Sequence, residues 1–247
     1  MPVAKKQTAK KPVKRVRKKT GNILDKIQTI DFSNSEPFSV GVFGKPSSGK
    51  TTFASSFPGR ILYASCSGGL KKPGELRSVS KKDREKFDQI TITECEQLNE
   101  ITEAVSDSEE HSTVVLDNLT SFSDLCLEQI TKKPVPAQLS WGYATKQDWG
   151  KHGALMKSFL RNLLNLPKYV VIISQERWFE PPEGSEIGIP VVGPAATPTV
   201  AGWLVASLDY SAQFYTRAET KSKTITINGS QKNMEVKTGN VEFCAYL

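Results

Sequence analysis

The sequence predicts an α/β fold: a mostly parallel sheet with helices on both faces and antiparallel strands at its C-terminal end. Three observations carry that expectation. Short apolar runs rich in β-branched residues recur without polar alternation, as strands buried on both faces require. Segments with helical apolar spacing separate them. After Leu208 the pattern changes to polar–apolar alternation around Asn228-Gly229, a hairpin signature.

The elements follow in chain order. Residues 1–20 are a polar tail, and residues 21–37 are a connector whose Ile23, Leu24, Ile27 and Ile30 suit a short docking helix. Residues 38–247 then read as one domain. Phe38-Ser39-Val40-Gly41-Val42-Phe43 is a buried strand, and Thr51 to Phe57 opens a helix that Pro58-Gly59 stops. Arg60 to Ala64 and Gln89 to Ile92 are strands on either side of a charged stretch, Lys71 to Lys86. Glu96 to Val105 suits a helix with Leu98, Ile101 and Val105 on one face. The strand Thr113 to Asp117 and a helix over 121–131 come next. Residues 132–150 read as a loop bearing Lys132, Lys133, Trp141, Tyr143, Lys146 and Trp149. His152 to Leu166 is an amphipathic helix with Leu155, Met156, Phe159, Leu160, Leu163 and Leu164 on its apolar face, ended by Pro167. Tyr169 to Gln175 is a buried strand, and residues 176–202 read as a long loop rich in Pro and Gly.

Between the first strand and its helix lies Gly44-Lys45-Pro46-Ser47-Ser48-Gly49-Lys50-Thr51, which matches the phosphate-binding loop G-x-x-x-x-G-K-[ST] at every fixed position. Gly44 and Gly49 let the backbone wrap a phosphate. Successive N–H groups then face the anion. Lys50 brings a cation to the β- and γ-phosphates, and the Thr51 hydroxyl reaches Mg²⁺. Thr52 either joins the nucleotide site or faces the core. The expected ligand is ATP with Mg²⁺. Val114-Val115-Leu116-Asp117 supplies the acid such a site needs, with Asp117 holding Mg²⁺ directly or through water. Asn118 and Thr120 either approach the γ-phosphate or serve as turn and cap residues.

The chain has 247 residues, a net charge of +7 and a mean hydropathy of −0.36. The charge is concentrated. Residues 1–20 hold nine Lys and Arg, among them Lys14, Arg15, Arg17, Lys18 and Lys19, and no acid; the rest has 24 basic residues against 26 acidic. Such a tail buries nothing and suits a polyanion, through salt-sensitive counterion release. It also fits a loose nuclear-localisation pattern. Cys66, Cys95, Cys126 and Cys244 are too far apart in sequence for a metal knuckle and read as reduced thiols of a cytoplasmic protein. His111 and His152 are assigned to the surface. No apolar run is long enough to span a membrane.

The order of these segments resembles the RecA/RadA-like core: the phosphate loop, a strand ending Asp117-Asn118, a Trp-Gly-Tyr loop, an amphipathic helix, and a strand ending Ser174-Gln175. It looks most like short phage ATPases of that core, described as nucleotide-binding or single-strand-annealing recombination proteins. The resemblance covers roughly residues 38–230. It implies that Gln175 senses the γ-phosphate and signals to a DNA-contacting loop over 176–199. There Arg177, Trp178 and Phe179 offer phosphate contact and base stacking. The 132–150 loop is the second such segment. It further implies single-stranded DNA as partner, assembly into a ring or filament of identical subunits, and a single-strand-binding protein as a further partner. Localisation would be cytoplasmic, in an infected host if phage-encoded, with a nuclear reading left open by the tail. One departure stands out. The family's catalytic Glu follows the strand after the phosphate loop, whereas here that stretch is Ala64-Ser65-Cys66-Ser67-Gly68-Gly69, and Glu75 lies off the family's spacing. Slow hydrolysis is therefore expected. The alternatives are a non-catalytic, ATP-gated nucleic-acid-binding module and an NTP-driven motor acting on proteins.

Overall fold

The computed structural model describes residues 36–66, 85–135, 143–181, 190–227 and 230–247. The basic tail, the connector up to residue 35, Glu75, Trp141 and the Asn228-Gly229 turn lie outside these residues. Fourteen elements follow in order: β1 (Ser39–Gly44), α1 (Lys50–Ala54), β2 (Ile61–Ser65), β3 (Phe87–Thr91), α2 (Gln97–Ser106), β4 (Thr113–Asp117), α3 (Leu119–Thr131), α4 (Lys146–Leu164), β5 (Tyr169–Ser174), β6 (Glu176–Phe179), β7 (Val191–Pro194), α5 (Pro198–Ser207), β8 (Tyr210–Ile227) and β9 (Ser230–Tyr246).

Seven strands form one sheet in the order β3-β2-β4-β5-β1-β8-β9. All neighbours are parallel except the β8–β9 hairpin. The apolar runs that predicted strands buried on both faces are the ones at the centre: every residue of β1 is buried, as are Val170 to Ser174 of β5. On one face α1 covers Val42, Tyr63, Val171 and Ile173. On the other, α2, α3, α4 and α5 enclose Val114, Leu116, Val170 and Ile172. Each buried aliphatic side chain contributes about 1.5–3 kcal/mol, so these two cores position everything else.

One polar clamp fixes where β8 joins β1. The Asp209 carboxylate accepts from both the backbone N–H and the hydroxyl of Ser39, each at 2.7 Å, and the Asp209 N–H returns a bond to Ser39 Oγ at 3.1 Å. These donors hold the carboxyl of Asp209 below the usual range.

Local chemistry moves several boundaries. Helix α1 ends at Ala54 and not near Phe57, because the hydroxyls of Ser55 and Ser56 donate to the carbonyls of Thr52 and Phe53 and compete with the helix. Helix α4 starts six residues before His152. Thr145 and Asp148 form a reciprocal capping box there, so Lys146 and Trp149 sit on the helix and not on a loop. The stretch 176–202 is not one loop either. It contains the β6–β7 hairpin and the start of α5, which has Pro198 in its first turn.

His152 is a correction of another kind. Its place on the apolar face of α4, in line with Met156, Phe159, Leu160 and Leu163, buries it completely. Nε2 lies 3.1 Å from both the carbonyl oxygen and the hydroxyl of Ser123, and buried Nδ1 has no partner. Burial lowers its pKa, outweighing the Ser123 carbonyl. The unfolded chain therefore takes up a proton that the folded one resists. The stabilising contribution is complete above the unfolded value, about 6.5, and is lost as pH falls below it. Melting temperature should drop between pH 7 and 5.5 in the parent, and that slope should flatten in His152→Gln. An equal slope in both proteins would assign the pH dependence elsewhere.

Candidate nucleotide site

The predicted phosphate loop joins the C-terminal end of β1 to α1. Its backbone is unusual where the motif requires it. Gly49 has φ 94° and Ser47 has φ 62°, both left-handed, which turns the chain tightly ahead of α1. Gly44 is fixed by space: a Cβ there would lie 2.0 Å from the carbonyl oxygen of Phe214 on the neighbouring β8. The motif's first glycine is thus required by sheet packing as well as by any ligand. Lys45, Pro46 and Ser47 are exposed at the tip, whereas Ser48 and Lys50 are buried.

The Lys50 ammonium donates to the carbonyls of Gly44 at 2.8 Å and Lys45 at 2.7 Å, and lies 3.3 Å from Ser48 Oγ. It is folded onto the loop it belongs to. Burial lowers its pKa, while the carboxylates of Asp117 and Glu176 pull it upward. Asp117 ends β4 opposite Ile173 of β5, and burial raises its pKa against the pull of Lys50. Thr51 is half-buried and Thr52 exposed, so Thr52 does not face the core. Asn118 proves to be a cap: its side chain accepts from Ser121 N–H at 2.8 Å. The Thr120 hydroxyl lies within hydrogen-bonding reach of Ser174 Oγ and of the Ala195 carbonyl, at 3.5 and 3.3 Å, joining α3, β5 and the residue after β7 at one edge. Gln175, exposed, follows β5 directly.

Comparison with known proteins agrees with this geometry. Residues 36–235 match the model of the AAA domain family. The chain belongs to that family. Its phosphate loop joins β1 to α1 at the edge of a mostly parallel sheet, as in P-loop nucleotide-binding domains. Among solved structures, the crystal structure of the RadB recombinase matches with 14% identity and a TM-score of 0.46, covering 84% of this chain and 87% of that one. No curated protein matches.

Three residues at this AAA-domain site escaped the sequence reading. Glu176 follows Gln175 and accepts a hydrogen bond from Gln213 Nε2 at 3.2 Å. Gln213 stands opposite Phe43, one residue before the phosphate loop. Phe243 of β9, 66% exposed, lies against the loop: a Cβ on Gly49 would be 3.4 Å from its ring. No local signal marks these three, since their placement depends on the pairing of strands far apart in sequence.

The two segments assigned to DNA contact meet in part. A cleft of about 790 Å³ is lined by Trp149, Gly150, Gly153, Lys157, Arg177 and Thr197, among others. Trp178 projects as an exposed ring, whereas Phe179 is half-buried against the core with the Arg177 guanidinium 5.7 Å from its ring centroid. Lys132 and Lys133 are not in this cleft; they sit at the C-terminal end of α3, where Tyr143 donates to the Lys133 carbonyl at 2.6 Å. Lys14, Arg15, Arg17, Lys18 and Lys19 lie outside the described residues.

Two glycine substitutions should part in sign. Gly44→Ala should destabilise by about 1–3 kcal/mol, because backbone must move to admit the methyl group. Gly153→Ala meets nothing within 4 Å inside helix α4 and should stabilise by about 0.5–1 kcal/mol. Urea denaturation of the two variants checks both signs.

Proposed function

We propose that this RecA-like AAA domain binds ATP with Mg²⁺ at residues 44–52 and uses it to act on single-stranded DNA in recombination or replication. The observation that carries the reading is Lys50. It is a buried ammonium with no acid as a hydrogen-bonding partner among the described residues, held only by neutral oxygens of its own loop and facing two carboxylates. A triphosphate would replace those neutral acceptors with charged ones, roughly doubling the strength of each bond. Thr51 and Asp117 offer the hard oxygen donors that Mg²⁺ prefers, and there it would neutralise charge on the phosphates. Phe243 beside Gly49 gives the nucleobase a face to stack on. Gln175 would then read the γ-phosphate.

The cleft supports the nucleic-acid part. It joins Arg177 and Lys157 with Trp149, and the exposed Trp178 stands nearby in sequence, a combination that suits backbone phosphates and unpaired bases. The basic tail would add binding that does not discriminate single from double strands. Assembly into a ring or filament and a single-strand-binding partner belong to this reading as well. The alternative is a non-catalytic, ATP-gated nucleic-acid-binding module in which the basic tail does most of the binding.

Lys50→Ala should lose ATP binding, measured by fluorescent-nucleotide titration; unchanged affinity would refute the nucleotide site. Phe243→Ala should weaken ATP several-fold while leaving inorganic tripolyphosphate unaffected.

Salt titrations on DNA separate tail from cleft. Removing residues 1–20 should flatten the salt dependence and leave a preference for single strands. Trp178→Ala should weaken single-strand binding by about 1–3 kcal/mol with little change in salt slope. A tail-deleted protein that binds no DNA, with or without an ATP analogue, would leave only the tail-driven module.

A further inference from the structure

We infer that Glu176 is the carboxylate that activates the attacking water in this chain, a role that rests on the ATP reading above. Four observations converge on it. First, the sequence that follows β2, Cys66-Ser67-Gly68-Gly69, holds no acid, so the usual location of a base is not filled there. Second, the parallel register brings the C-terminal ends of β1, β4 and β5 together: Phe43 pairs with Ser174, and Asp117 pairs with Ile173. Glu176 lies two residues past Ser174, at the end of the sheet where β1 runs into the phosphate loop. Third, its carboxylate has a dedicated donor, Gln213 Nε2 at 3.2 Å, and Gln213 is itself fixed opposite Phe43. Fourth, Lys50 lies within the field of Glu176 as well as of Asp117. A γ-phosphate drawn to Lys50 would therefore enter the field of both carboxylates. Asp117 would hold the metal in this reading, and Glu176 is half-buried, with its second oxygen lacking a hydrogen-bond partner among the described residues.

The step balances without another reactant. Glu176 removes a proton from water as the water oxygen bonds to the γ-phosphorus. The bond from that phosphorus to the β,γ-bridging oxygen breaks, and ADP leaves with the electron pair. The products are ADP and inorganic phosphate, and the proton on Glu176 passes to phosphate or solvent. Gln213 is a positioning residue, holding one carboxylate oxygen so that the other faces the water.

The experiment measures ATP turnover and fluorescent-ATP affinity on the full chain. Glu176→Gln keeps the shape and the bond partner but cannot take a proton. It should lower kcat by about 10²–10⁴-fold and leave nucleotide affinity within about threefold. Gln213→Leu should lower kcat by a smaller factor, again with affinity retained, and retained binding shows that both variants fold. Turnover undiminished in Glu176→Gln overturns the inference, as does a loss of turnover matched by an equal loss of affinity. A parent that binds ATP but never hydrolyses it also overturns the inference, while leaving the nucleotide site standing. A parent that binds no ATP fails at the earlier step and takes both readings with it.

Discussion

The parallel register of β4, β5, β1 and β8 is the constraint on which the rest depends. Strands that run the same way end at the same edge, so residues from distant parts of the chain arrive together only if each strand stops in register. Gly44, Asp117, Gln175 and Gln213 meet this condition because Phe43 faces Ser174 on one side and Gln213 on the other, and Ile173 faces Asp117. Open parallel sheets place ligands outside the carboxyl ends of their strands for this reason. The Ser39–Asp209 clamp acts at the opposite end of β1 and sets the same register from below. A slip of one residue would turn every side chain of β8 to the other face.

Electrostatics at that edge follow from burial. An ammonium removed from water loses part of its preference for being charged, and a carboxylate likewise. Lys50 and Asp117 show both tendencies, each offset by the other. The loop carbonyls solvate Lys50 but do not neutralise it. Under the proposed reading, an anionic ligand is the complement of a cation so held. The Cys66 thiol, partly buried against the core, behaves differently: burial pushes it up to about 12, which favours the neutral thiol.

What could be read from the sequence was what is local in it. The phosphate loop is contiguous, and its conformation is written in Gly44 and Gly49. The strand ending at Asp117 announces itself by composition. The start of α4 was also legible, since Thr145 and Asp148 have capping-box spacing, yet the glycines and aromatics nearby suggested a loop. The β6–β7 hairpin was hidden by its Pro and Gly content, because its strands are only four residues long. His152 was misassigned because a lone imidazole on an apolar helix face gives no sign of whether a neighbouring helix supplies an acceptor; Ser123 on α3 does. Glu176, Gln213 and Phe243 could not be found at all. Each matters only through a contact made by strand pairing or packing across more than 30 residues of sequence, and no spacing rule encodes that.

The β6–β7 ribbon is where the two proposed sites touch. A two-stranded antiparallel ribbon is marginal alone and takes its order from what it packs on. Here it leans on the core through Phe179 and is tied to the sheet edge where Ala195 N–H donates to the Gln175 carbonyl at 2.8 Å and to Ser174 Oγ at 3.0 Å. Glu176 opens the ribbon and Arg177 follows it, one in reach of Gln213, the other lining the cleft. Adjacent residues on a strand point to opposite faces, so one short backbone segment carries both groups. Under the proposed reading, a shift that seats Arg177 on a phosphate backbone would also move Glu176, and any change in affinity it causes would act in both directions by linkage. Coupling between nucleotide and nucleic acid then needs no long pathway. It needs only that the first two residues of β6 cannot move independently.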